Sequence, residues 1–236
     1  MLELVLPPPT AAATVTAAAE PLSWLAIGIS CIALHLWLRP MQQGFSPADP
    51  SIRRPLLPPL LSLSAVLLVS FVAPSLLICL LCPGTDHRVS TFKRFSFAFL
   101  TNVLVMLFAK RTVGRLRPHF LAAAAPDLLA TPSDRFISAA EGSAYASDRR
   151  SGWDARRSFF SGHASLGSGS AVFLVLLMQQ TCARSLVRST VQAALLLTGL
   201  HAGVTQAQRF WHHWTDVVTG YAVGAALSLL AFHADL

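Results

Sequence analysis

Three short segments hold the residue types that phosphate chemistry requires. Lys110 is followed by Arg117-Pro118, Ser161-Gly162-His163 forms the second segment, and His212 precedes Asp216 by four positions in the third. At that spacing His212 and Asp216 share one face of a helix. The carboxylate can then accept from one imidazole nitrogen, fix the tautomer and leave the other nitrogen as nucleophile or base. A structural pair capping an apolar helix has the same spacing. Ser161-Gly162-His163 opens an apolar run, and a helix start offers unpaired N–H groups and a positive dipole end to an anion. Gly162 allows an oxyanion close to the backbone, and His163 stands where it could protonate a leaving alkoxide. A Ser N-cap followed by a solvated histidine explains those three residues equally well. Lys110, Arg111, Arg115 and Arg117 put four cations into eight residues. Arg forks match phosphate oxygens bidentately and Lys supplies a point charge. Snorkelling to lipid head groups accounts for Lys110 and Arg111, but not for Pro118 or for the motifs that follow.

These segments lie where long apolar runs begin or end. Of the 236 residues, 53% are hydrophobic and only 12% charged, against about 25% charged in a typical soluble domain. Six runs approach the roughly 20 residues needed to cross a bilayer: Leu22–Leu38, Leu56–Cys82, Phe95–Ala109, His163–Met178, Leu186–Val204 and Trp214–Phe232. The expected fold is therefore all-α, an integral membrane protein with six transmembrane helices. Residues 1–21, rich in Ala, Thr and Pro and without Lys or Arg, read as a flexible N-terminal tail, and residues 22–233 as one six-span unit. With six spans, the loop 110–162 and the loop 205–213 share a side, so all three motifs meet on one face. The middle of the longer loop, Ala122 to Trp153, reads as irregular.

The net charge of +7 is concentrated in the stretch Lys110–Arg157, which carries nine of the 18 Lys and Arg residues. No nucleic-acid motif accompanies it, so anionic head groups or phosphates fit better than nucleic acid. Most basic residues fall on the motif side, which by the positive-inside rule alone would face the cytosol; long loops translocate largely regardless of charge. Cys79 and Cys82 have CxxC spacing without a second pair, and no Asp, Glu, His or Cys cluster has metal-ligand spacing. No metal or cofactor is implied. Ala164, Gly167, Ser168 and Gly169 permit close helix packing, either inside one chain or in a homo-oligomer.

Taken together, Lys-x6-Arg-Pro, Ser-Gly-His and His-x3-Asp in this order resemble the type 2 phosphatidic acid phosphatase superfamily. Gly114-Arg115-Leu116-Arg117-Pro118-His119-Phe120-Leu121, Arg156-Arg157-Ser158-Phe159-Phe160-Ser161-Gly162-His163-Ala164-Ser165 and His212-His213-Trp214-Thr215-Asp216-Val217 look like the three signature blocks of the eukaryotic lipid phosphate phosphatases. Gly44-Phe45, Asp49 and Ser51-Ile52 resemble the loop after that family's first span. The resemblance covers residues 22 to 233. It implies a plasma-membrane or endomembrane enzyme with its site on the extracellular or luminal face, removing phosphate from phosphatidate, lysophosphatidate, sphingosine 1-phosphate or ceramide 1-phosphate. It further implies a metal-independent phosphohistidine mechanism: His212 attacks phosphorus, oriented by Asp216, and His163 protonates the leaving group. Lys110, Arg117, Ser161 and Gly162 hold the phosphate, with Arg156 and His119 in support.

One position departs from the pattern. The family's third block begins Ser-Arg, six residues before the histidine nucleophile; here Thr205 and Gln206 stand there. Gln206 removes a fixed positive charge, and Arg209, about one helical turn on, is the candidate substitute. The departure motivates a rival reading, a weakly active or inactive relative that binds lipid phosphates. A channel with a basic vestibule is a second rival, but it leaves the spacing of three motifs to coincidence.

Overall fold

The computed structural model describes residues 11–130, 133–142 and 149–234. Among these the regular secondary structure is all helical, apart from a single bridge between Phe45 and Ile137. The helices are α1 (Ala11–Leu36), α2 (Leu63–Leu81), α3 (Thr85–Thr112), the short α4 (Phe120–Ala124), α5 (Pro126–Ala130), α6 (Ala139–Gly142) and α7 (Arg149–Asp154), then α8 (Gly162–Thr181), α9 (Leu186–Gln208) and α10 (Trp214–Phe232). α2, α3, α8 and α10 are long and apolar enough to cross a membrane. α1 and α9 bring the long helices to six, compatible with the six spans read from the sequence.

Boundaries differ from the apolar runs for physical reasons. The run Leu56–Cys82 becomes helical only at Leu63, because Pro58 and Pro59 lack N–H groups and bias the preceding residues away from helix. Ser62 then caps α2, its Oγ accepting from Ala65 N at 3.1 Å. α3 is longer than Phe95–Ala109, since Thr85–Arg94 continues the helix with polar side chains. α1 starts at Ala11, inside the stretch read as a tail; the Ala-rich segment 11–19 has high helix propensity. Residues 1–10 of that tail lie outside the described residues.

α8 is the central helix and packs on α10, α9, α2 and α3. Small side chains make this possible. A Cβ on Gly167 would meet the Gly199 carbonyl oxygen at 3.0 Å, and one on Gly199 would meet Gly167 O at 2.7 Å, so α8 and α9 touch backbone to backbone. The small residues of the fourth span are thus used within the chain. Asn102 of α3, 3% exposed, donates to Ser165 O of α8 at 2.9 Å. Away from this centre, α2 and α9 present exposed leucines such as Leu80 and Leu186, as a lipid-facing surface requires.

Above the helix ends, the long loop and residues 39–55 fold together into a small cap. Phe45, Ile52, Leu116, Phe120, Leu121 and Ile137 form its apolar core. Among the described residues, the middle of the long loop, expected to be irregular, carries the four short helices α4 to α7 joined by irregular stretches. Gly114 sits at φ +62°, and an added Cβ there would collide with the Met41 carbonyl. That turn lets the chain leave α3 and carry Arg115 and Arg117 back over the helix ends.

Candidate active site

The ends of α3, α8 and α9 and the turn before α10 enclose a cavity of about 290 Å³. Its wall includes Lys110, Arg111, Arg117, Arg157, His163 and His212, together with Gly162, Gln206 and Asp154. The three motifs, separated by up to a hundred residues, therefore meet at one place. Ser161 and Asp216 stand just behind the wall. Arg209 caps the end of α9 and is not part of the wall.

His212 is 4% exposed, and its Nδ1 lies 2.6 Å from the Ser158 carbonyl oxygen. A carbonyl can only accept, so Nδ1 carries the proton and Nε2 is the bare nitrogen. Burial, reinforced by the positive charge of Lys110 and Arg117, holds His212 well below the usual histidine range despite the nearby Asp216 carboxylate. The ring is thus neutral at physiological pH. The expected direct His212–Asp216 hydrogen bond is replaced: Asp216 Oδ2 is 3.9 Å from Nδ1, beyond hydrogen-bonding range. Asp216 acts one step removed. It is fully buried; Oδ2 accepts from Ser158 Oγ at 2.6 Å and from His213 N at 3.1 Å, and Oδ1 from Arg115 Nη1 at 2.6 Å. A buried carboxylate needs such partners. These ones fix the Ser158 segment whose carbonyl orients His212.

His163 is the second residue of α8, behind the Ser161 N-cap, whose Oγ accepts from Ala164 N at 3.4 Å. His163 Nε2 lies 3.0 Å from the Leu61 carbonyl oxygen. By the same reasoning Nε2 carries a proton there; a second proton, on Nδ1, makes the ring the imidazolium that a general acid needs.

The cations have their own anchors. Lys110 Nζ donates to Arg157 O at 2.8 Å. Arg117 Nη2 meets Asp154 Oδ1 at 3.1 Å, and its guanidinium lies 4.8 Å from the centre of the Trp211 ring. Burial lowers the Arg117 pKa from its ordinary range, but an arginine still keeps its charge. Arg111 donates to His35 O and Leu38 O, capping the C-terminus of α1 while one side borders the cavity. His119, 2% exposed, hydrogen-bonds Phe210 O through Nδ1 at 2.8 Å and packs edge-on against Trp211. Arg156 donates to Gln43 O in the cap at 2.9 Å. Both thus hold the scaffold of the site. Gln206 is 1% exposed; its backbone carbonyl accepts from Trp211 N and His212 N, while its side-chain Nε2 has no hydrogen-bond partner among the described residues.

The sequence placed Arg115 in the phosphate-matching cation cluster, not at Asp216, and assigned no role to Ser158, Arg157, Asp154 and Leu61. Arg115, Arg157 and Ser158 lie inside the quoted motif blocks, so proximity to the motifs was a signal. Asp154 and Leu61 gave none.

Fold and site define a cation-lined pocket at the ends of long apolar helices, with a neutral histidine on one wall and a histidine N–H donor on another. The chain belongs to the PAP2 superfamily, whose family model matches residues 92–235. Phospholipid phosphatase 2 of Bos taurus is 30% identical over 228 residues, covering 87% of this chain and 77% of that protein. Phospholipid phosphatase 2 of Homo sapiens is 29% identical over 213 residues, 81% of this chain and 72% of that one. Phospholipid phosphatase 1 of Rattus norvegicus is 30% identical over 154 residues, covering 62% and 54%. No solved structure matches the chain significantly.

Proposed function

We propose that the protein is a lipid phosphate phosphohydrolase working through a phosphohistidine. The observation that carries this reading is His212: neutral, with Nδ1 held by the Ser158 carbonyl and Nε2 left bare, in the wall of a cavity lined by four cations. His212 Nε2 attacks phosphorus, forming the N–P bond as the P–O bond to the lipid breaks. His163, as the imidazolium, gives its Nε2 proton to the departing oxygen and becomes neutral. Lys110, Arg117 and Arg157, with the backbone N–H groups at the start of α8, hold the phosphate oxygens and offset the charge that builds on them. A water then attacks phosphorus, His163 takes its proton, and the N–P bond breaks to release phosphate and restore His212. The cations supply the charge stabilisation that a metal supplies elsewhere, so turnover is expected to be metal-independent.

The substrates are membrane lipid monophosphates such as phosphatidate, lysophosphatidate, sphingosine 1-phosphate or ceramide 1-phosphate. The names of the relatives support that class. The site is placed on the extracellular or luminal face of the plasma membrane or an endomembrane. Phosphate release from phosphatidate in detergent micelles, wild type beside His212→Ala, tests the reading. Acid-labile, base-stable label on wild type and none on His212→Ala is the expected result; label persisting on His212→Ala removes the assignment. Activity lost in EDTA and restored by Mg²⁺ would count against the metal-free step.

The weakly active reading keeps one observation in its favour: Gln206 lines the cavity without a charge, and Arg209 does not replace it there. Turnover near background with intact phosphate binding would select that reading.

A further inference from the structure

A second cavity, also of about 290 Å³, adjoins the first: Leu61 lines both. It lies between α2, α8 and α9, with Ala73 and Leu77, Ala171 and Leu174, and Leu195 among its walls. Its character is the opposite of the first. Its one ionisable side chain is His201. Two of its three hydroxyls are turned to backbone: Ser170 Oγ donates to Ser70 O at 2.7 Å and Thr198 Oγ1 to Ala194 O at 2.8 Å. The small residues Ala65, Ala73 and Ala202 leave the recess, and the Gly167–Gly199 contact closes its floor. Val69, 60% exposed, and Ala73 open its side to the membrane.

Its position relative to the chemistry is informative. His163 heads α8, and Leu174 lies eleven residues further along the same helix, about 16 Å at 1.5 Å per residue. The cavity thus follows α8 inward from His163. Its upper end is Leu61, whose carbonyl accepts from His163 Nε2 at an N···O distance of 3.0 Å. If His163 protonates the leaving oxygen, that oxygen and the lipid attached to it lie on this side of the phosphate. A cationic compartment and an apolar one, joined at the proton donor, match a molecule with a phosphate head and a hydrocarbon chain.

We propose that this groove holds one hydrocarbon chain of the lipid whose phosphate occupies the cationic cavity, and that it confers selectivity for chain length. The proposal rests on the phosphohydrolase reading. It is tested with two phosphatidates that differ only in their acyl chains, butanoyl and palmitoyl, in mixed micelles. Ala73→Trp fills the groove from α2 and Thr198→Trp from α9. Val72→Trp places the same bulk on α2 outside the groove, on an exposed side chain. Both groove variants should lower kcat/KM for the palmitoyl substrate by at least about tenfold, since one methylene in an apolar pocket is already worth roughly that. They should leave the butanoyl substrate unchanged, and Val72→Trp should leave both unchanged. Equal loss on both substrates, or no loss on the long one, overturns the proposal and leaves the groove filled by bulk lipid only. A palmitoyl phosphatidate with a photoreactive terminal carbon adds a readout that needs no turnover: it should label residues 65–77 or 195–202 in wild type and not in Ala73→Trp. Absence of turnover in wild type would remove the phosphohydrolase reading alone, and the groove then stands or falls on that label.

Discussion

Replacing Gln206 by arginine should accelerate the enzyme. Gln206 is 1% exposed, lines the cavity and offers an amide Nε2 with no partner among the described residues. Arginine there would give the phosphate a charge-assisted hydrogen bond, worth about 1.5 to 3 kcal/mol. At 1.36 kcal/mol per tenfold, an interaction realised in the transition state raises kcat by roughly one to two orders of magnitude. The opposing effect is repulsion. Lys110, Arg111, Arg117 and Arg157 already line the cavity, so a fifth cation destabilises the empty protein and is compensated only when a dianion enters. Gln206→Arg should therefore unfold at lower temperature than wild type without ligand, and recover that difference in inorganic phosphate. The assay is phosphate release from phosphatidate in micelles, with kcat and KM resolved separately. Arg209→Gln, made in the same background, should change little, because Arg209 lies outside the cavity wall. A kcat for Gln206→Arg at or below wild type, with phosphate still raising its unfolding temperature, would refute the reasoning. So would a severe loss in Arg209→Gln, which would place Arg209 at the phosphate.

Other consequences follow from the same geometry. Arg115→Met removes one partner of the buried Asp216 carboxylate; the cost should be about 1 to 2 kcal/mol in denaturant unfolding, less than for a fully buried pair because Arg115 is 36% exposed. An unchanged midpoint would show that Ser158 and His213 N suffice. Ser158→Ala keeps the carbonyl that orients His212 but loses the 2.6 Å bond to Asp216, so the phosphohistidine label should still form, more slowly and with KM unchanged. Unaltered labelling kinetics would separate Asp216 from the orientation of His212. Activity should fall as pH drops through the depressed pKa of His212, because a protonated Nε2 cannot attack. Lys110→Met removes a positive neighbour, raises that pKa and should move the acid limb of kcat/KM to higher pH whatever the residual rate; a limb that stays in place would assign it to another group. His119 is held at about 4, chiefly by burial. Its folded pKa is depressed, so the stability it contributes is present above about pH 6.5 and is lost as pH falls toward 4, by about 3 kcal/mol in all. His119→Gln should flatten the stability profile across that window, and an unchanged slope would remove the assignment.

The six long helices, and the meeting of the three motifs, were legible because they rest on local properties. Apolar length is read residue by residue, and alternation of loops then places the segments containing Lys110, His163 and His212 on one side. Helix boundaries were less legible, because hydropathy marks what lies in lipid and not where hydrogen bonding stops. Leu56–Leu61 is as apolar as the helix it precedes, yet Pro58 and Pro59 delay that helix to Leu63. The polar first ten residues of α3 left no mark in hydropathy for the converse reason. The folded cap escaped because its core of Phe45, Ile52, Phe120 and Ile137 is drawn from two distant loops, neither apolar enough alone to show a pattern.

The pairing inside the site was the least legible part, and the reason is geometric. The i, i+4 spacing of His212 and Asp216 assumes one continuous helix, but α10 begins at Trp214, with His213 as its N-cap. His212 therefore lies outside the helix that carries Asp216, and its Nδ1 turns to a backbone carbonyl. Neither histidine of the site is held by a carboxylate: His212 is held by Ser158 O and His163 by Leu61 O. At His212 the backbone acceptor fixes the tautomer without adding negative charge, so it orients the ring and leaves its pKa low. In a pocket already crowded with cations, that keeps His212 neutral and nucleophilic, whereas a carboxylate at hydrogen-bonding distance would favour the protonated ring. Every residue has a carbonyl, so no residue type marks this arrangement in the sequence. The fold alone decides which carbonyl faces which histidine.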